Sequence, residues 1–143
     1  MKYFNHFSPE ELFSNCSDAE ILSCIKSGAL NNVLRLFFLL DEIRDYCGQP
    51  FVITSTYRDK EHNERVGGSV TSQHLYGAAV DFFCPKVPFE TLVYLVQDAI
   101  KKAGLQYALG QVIFYYKRQF IHVALPCSKH SKLTIYYYEK GNN

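Results

Sequence analysis

The chain has 143 residues, 15 basic and 14 acidic, for a formal net charge of +1 at pH 7. That length supports one domain with a real core, and so balanced a charge excludes nucleic-acid binding driven by phosphate contacts. The longest apolar run, residues 33–40, is too short and is interrupted by Arg35, which excludes insertion into a membrane.

Ser8-Pro9-Glu10-Glu11 opens the first predicted helix, with Ser as cap, Pro in the first helical position and Glu in the third. Ser17-Asp18-Ala19-Glu20 repeats the pattern, and Gly28 stops the second helix. These two short helices, within residues 1–28, are expected to cover a core spanning 29–138. Residues 29–47 form the strongest helix: Leu30, Val33, Leu34 and Phe37 make an apolar stripe that Leu36, Leu39, Leu40 and Ile43 widen. Gly48 ends it, and Gln49-Pro50 leads into the strand Phe51-Val52-Ile53-Thr54-Ser55.

Residues 56–72 read as a polar connection, long enough in a small domain to point to function. Residues 78–83 form a second strand, closed by Pro85 and Pro88. Phe89, Leu92, Val93, Val96 and Ile100 keep helical spacing until Gly104. Strands follow at 111–116, 120–125 and 133–138, the first two joined by a hairpin at Lys117-Arg118-Gln119, and Gly141-Asn142-Asn143 reads as a loose tail. No repeat or linker divides the chain. The reading is a single α+β domain over 1–143, with helices packed on a mainly antiparallel sheet.

Five cysteines, none closer than eight residues to the next, form no metal-binding pair and no regular disulfide framework. Reduced thiols and synthesis in a reducing cytoplasm are expected. Residues 1–15 carry acids and polar groups where a secretory signal would need an apolar stretch, so no signal peptide is expected. The 11 Tyr and 11 Phe fall mostly within strand-like and helix-like runs, so core packing comes before a groove-lining role.

One stretch carries chemistry. Thr71-Ser72-Gln73-His74-Leu75-Tyr76-Gly77-Ala78-Ala79-Val80-Asp81 offers an imidazole and, seven residues later, a carboxylate inside an apolar strand. A buried acid there is costly unless a cation or donors compensate it. Phe120-Ile121-His122-Val123-Ala124-Leu125 repeats the oddity with a second imidazole. A lone His in a strand is usually an ordinary residue, but His74, Asp81 and His122 together make the three-ligand set of a catalytic zinc site. Alternation puts Ala79, Asp81 and Phe83 on one face, and Phe120, His122 and Ala124 on one face. If the two strands are neighbours, Asp81 and His122 meet. Zinc suits the set, and another divalent ion stays open. His6, His62 and His130 are expected to be solvated.

The pattern Ser-x-His-x-x-Gly-x-Ala-x-Asp followed by Phe-Ile-His-Val resembles the zinc peptidases of the M15 family, over roughly residues 30–125. That family includes D-alanyl-D-alanine carboxypeptidases and dipeptidases, and phage L-alanyl-D-glutamate endolysins. The resemblance implies a hedgehog/DD-peptidase-like fold, with zinc on His74, Asp81 and His122. It also implies Arg58, in Tyr57-Arg58, as a stabiliser of oxyanion charge, and Ser72 and Gln111 as substrate-binding residues. Taken alone, Arg58 reads as a surface residue and Ser72 as a turn or cap residue. The resemblance further implies activity on peptidoglycan stem peptides, as carboxypeptidase or endopeptidase. The enzyme would be a monomer acting in the periplasm or cell wall after release, for example as a phage product.

Many relatives place a carboxylate three residues before the last His, as general base and acid. Gln119 stands there, and an amide cannot exchange a proton as a carboxylate does. Gly110, before Gln111, is a second lost acid. Asp59, Glu61, Glu64 and Glu139 are possible substitutes. A domain that holds zinc and grips wall peptides without cutting them is the alternative.

Overall fold

The computed structural model describes residues 4–141; positions 142–143 of the expected tail and the first three residues of the N-terminal cover lie outside the described residues. Among the described residues there are four α-helices and a five-stranded sheet. The cover starts as a 3₁₀ turn, Pro9–Phe13, whose Glu11 carboxylate accepts from the Ser8 backbone N–H. Helix α1 (Asp18–Ser27) has a reciprocal cap: Ser17 Oγ accepts from the Glu20 amide and Glu20 Oε1 from the Ser17 amide, each at 3.2 Å. Gly28, at φ 83, links it to α2 (Ala29–Cys47). The expected stripe of α2 is buried through Val33, Phe37, Leu40 and Ile43. No helix among the described residues is long and apolar enough to cross a membrane.

The strands are β1 (Val52–Ser55), β2 (Ala79–Phe83), β3 (Gln111–Tyr115), β4 (Phe120–Ala124) and β5 (Thr134–Tyr138), in the order β1-β2-β4-β3-β5. Three pairings are antiparallel and one, β3 with β5, is parallel. The reason is topological. β4 returns the chain to the end where β3 begins, and Thr134 starts β5 opposite Gln111 at that same end, so β5 runs as β3 does.

Strand alternation gives the sheet two different faces. Val80, Phe82, Val112, Phe114, Ile121 and Val123 are fully buried and form the core with Leu36, Phe37, Leu92 and Val96 from α2 and α4 (Phe89–Lys102). The opposite face carries Asp81, His122, Ile113 and Tyr115. It takes Ser55 from β1 as well, because an irregularity between Ile53 and Ser55 sets Ser55 against Asp81.

The connection at 56–72 is less irregular than its composition suggests. It contains α3 (Lys60–Arg65), whose cap, Asp59, accepts from the His62 amide at 2.8 Å. Six polar residues leave no apolar stripe, so sequence periodicity misses this helix. His62, expected in solvent, instead places Nδ1 2.8 Å from Glu20 Oε2. The same carboxylate oxygen accepts from the Asp59 amide at 3.1 Å. Glu20, 4% exposed, thereby bolts the N-terminal cover to the start of α3. His6 also finds an acidic partner, Asp45, at 3.0 Å, and His130 is half-buried beside Gln111. Burial raises the thiols of Cys24 and Cys47, to about 11 and about 12 respectively, which makes both structural rather than reactive.

Candidate metal centre

Asp81 and His122 are direct cross-strand partners on β2 and β4. Their side chains emerge on the same face, with His122 Nδ1 2.8 Å from Asp81 Oδ1. His74 comes from the 3₁₀ turn Gln73–Tyr76, whose cap, Ser72, accepts from the His74 amide at 3.2 Å. Its Nε2 lies 3.2 Å from the same Asp81 Oδ1.

Gly77 makes that return possible. It adopts φ 69, and a β-carbon there would stand 2.7 Å from the Ala29 carbonyl oxygen and 2.8 Å from Val33 Cγ2. Only glycine tolerates both demands. Gly77→Ala is therefore expected to destabilise the protein by about 1–3 kcal/mol, read as a lower urea midpoint. An unchanged midpoint would show that α2 yields to the extra methyl.

The donor set decides what this cluster can hold. His74 Nδ1 lies 2.6 Å from the Thr56 carbonyl. A carbonyl only accepts, so Nδ1 carries a proton, and Nε2 faces the carboxylate either as the donor of a second proton or with a lone pair open to a cation. Two acceptors 3.2 Å apart repel unless a cation or an added proton lies between them. The ligand atoms of His74, Asp81 and His122 all lie within 4.8 Å of one another, close enough for one metal ion to bind all three. Burial alone would raise the Asp81 carboxyl, but hydrogen bonds from His122 and His74 and their positive field outweigh it and hold it well below the usual carboxylate range. The acid therefore stays ionised, the form in which a carboxylate can bind a metal, and His74 and Asp81, at 3% and 8% exposure, are shielded from water.

Arg58 is drawn in from the loop. Its Nη2 lies 3.7 Å from Asp81 Oδ2, Nε donates to Ser55 Oγ at 3.1 Å, and Nη1 to Asn63 Oδ1 at 3.3 Å. Its backbone N–H donates to the His74 carbonyl at 3.0 Å, tying the two motifs together.

Two hollows meet at this cluster. One, of about 500 Å³, is lined by Ser72, His74, Gln111, Tyr115, His122 and Lys129 among others. The second, of about 610 Å³, is more apolar, with Val66, Phe83, Pro85, Val87 and Phe89, and has Gln119 on its wall. Arg58, Asp81, Arg118 and Phe120 border both. Ser72 and Gln111 therefore stand beside the imidazoles, whereas Gln119 lies in the neighbouring hollow, exposed on the hairpin at φ 55. Asp59, Glu61, Glu64 and Glu139 line neither hollow, and among the described residues Asp81 is the one carboxylate that does. Gly110 leaves no room for an acid: a β-carbon there would stand 2.5 Å from Pro126 Cα and 2.7 Å from the Leu125 carbonyl oxygen.

Sequence reading passed over Tyr115, although alternation through Gln111, Ile113 and Tyr115 was the signal that could have found it. Its ring stacks on Phe120 at 4.3 Å. Burial and the nearby Asp81 charge raise its phenol, so it keeps its proton.

An α+β domain that gathers two imidazoles and a carboxylate on the open face of its sheet has the donor set of a metal-dependent hydrolase. Residues 5–124 match the family described as Peptidase M15, and the chain belongs to that family. Membership makes it a peptidase by family, with peptides as its substrate class. No curated protein matches the chain.

Proposed function

We propose that this protein is a zinc metallopeptidase that cuts peptidoglycan stem peptides at an internal bond. The observation that carries the reading is the shared Asp81 oxygen, with an imidazole nitrogen on either side at 2.8 and 3.2 Å. Zinc fits the mixed nitrogen and oxygen set better than magnesium or calcium, which prefer oxygen alone. His74, Asp81 and His122 would hold it, and the bound ion would acidify water and polarise the scissile carbonyl.

The protein's own residues supply the rest. The Thr56 carbonyl orients His74. Arg58, permanently charged, offers donors to oxyanion charge. Ser72 and Gln111 offer hydrogen bonds to the substrate backbone. The two hollows on either side of Asp81 support internal cleavage, since a peptide can extend both ways from the centre. A carboxypeptidase would need one side closed around a terminal carboxylate.

The test is a stem peptide incubated with zinc-loaded protein and analysed by mass spectrometry. Cleavage at one internal bond is expected, abolished by a chelator and restored by zinc. Release of only the terminal residue would reassign the enzyme as a carboxypeptidase.

One observation favours a second reading, a zinc-holding module that binds wall peptides without cutting them: among the described residues neither hollow holds a carboxylate besides Asp81. Gln119→Glu separates the two. It adds a carboxylate to the hollow that shares Arg58 and Asp81 with the imidazole cleft. A base positioned at the centre contributes about a hundredfold or more; from the exposed hairpin of the neighbouring hollow a smaller rise in hydrolysis is expected. Peptide bound but uncleaved by both proteins would establish the binding module.

A further inference from the structure

We propose that Tyr115 is the hydrogen-bond donor that meets the substrate carbonyl oxygen as it gains negative charge, a role that rests on the peptidase reading above. The placement comes from strand register. Ile113 is the cross-strand partner of His122, and Tyr115 lies two residues further along β3. Two residues is one full strand period, so Tyr115 projects on the face that carries His122 and Asp81. Its side chain lines the cleft that contains both imidazoles.

The ring is held from two sides. It stacks on Phe120 at 4.3 Å with the planes 6° apart, and meets the edge of Tyr138 at 5.3 Å. A clamped ring holds its hydroxyl at a set place and costs little entropy when substrate arrives. The hydroxyls of Tyr57 and Tyr137 are engaged by Ser23 and Gln97. No hydrogen bond among the described residues engages that of Tyr115.

The site has use for such a donor. Asp81 is bonded to both imidazoles and contacted by Arg58, so it cannot serve the substrate. Arg58 spends Nε on Ser55 and one Nη1 proton on Asn63, so its remaining N–H groups serve oxyanion charge from one side and leave place for a second donor. A phenol that keeps its proton donates without changing protonation state, and a bond to a developing oxyanion is stronger than one to a neutral carbonyl. The effect therefore falls on the transition state more than on bound substrate.

Tyr115→Phe keeps the ring and its stacking and removes the hydroxyl alone. Expected are a kcat lower by about a hundredfold, in the range for loss of one oxyanion donor, and a KM within about twofold. Zinc content and unfolding midpoint are expected to match the wild type. Calorimetry gives a readout apart from turnover. A phosphinate peptide, which mimics the tetrahedral charge, should bind the variant about a hundredfold more weakly, whereas an uncleavable peptide of the same sequence should bind both proteins alike. Wild-type kcat and phosphinate affinity in the variant would overturn the role of Tyr115 and leave the peptidase reading standing. A wild-type protein that cleaves no peptide would overturn that reading and this role with it.

Discussion

His74→Ala and His122→Ala are each expected to strip the protein of its metal and take peptide hydrolysis to background. The three ligand atoms lie within 4.8 Å of one another, and removing one leaves two ligands, fewer than zinc sites employ. Loss of a mere outer partner of a ligand costs about ten- to a hundredfold in metal affinity, so loss of a ligand should cost more. The fold should survive. His122 projects from the sheet face opposite the buried rows at Phe82, Phe114 and Ile121, and His74 comes from the 3₁₀ turn Gln73–Tyr76, outside that apolar core. Elemental analysis after dialysis, read beside circular dichroism, checks both halves. Full metal retention in both variants would remove the assignment of the centre.

Asp81→Asn should weaken metal binding far more than it weakens the metal-free protein. The amide matches the carboxylate in shape and can still accept from His122, so the fold should lose about 1.5–3 kcal/mol, the worth of a hydrogen bond to a charged group. The metal loses a charged ligand. pH adds a second signature in the metal-free protein. The folded carboxyl is held below its unfolded value of 3.8 by hydrogen bonds from His122 and His74 that outweigh burial. Its stabilising contribution is therefore complete above about pH 4 and is lost as pH falls further. The stability gap between wild type and Asp81→Asn should narrow in that acid range. A variant that melts higher than the wild type with unchanged metal content would show Asp81 to be a buried liability rather than a ligand.

Much of the site was legible because two signals are local. Gly77 marks the sharp turn that returns His74, and alternation around Asp81 and His122 marks which way each points. Their meeting needed one further fact, the pairing of β2 with β4 in register, and apolar pattern alone does not choose a strand's neighbours. The helices were legible where a face is buried, as in α2 and α4. The polar α3 was not, because its stability comes from the Asp59 cap and from the distant Glu20.

By itself, then, the sequence determined the α+β class, the long amphipathic helices, the strands and the three metal-ligand candidates. Each depends on periodicity or on chemistry that is odd for its surroundings. The tertiary structure alone decided the parallel β5, the place of His62 against Glu20, the place of Gln119 on the hollow next to that of the imidazoles and the position of Tyr115 in the cleft. Those depend on contacts between residues such as Glu20 and His62, 42 apart in the chain, and no local pattern encodes which distant partner a polar side chain will find once the core has closed.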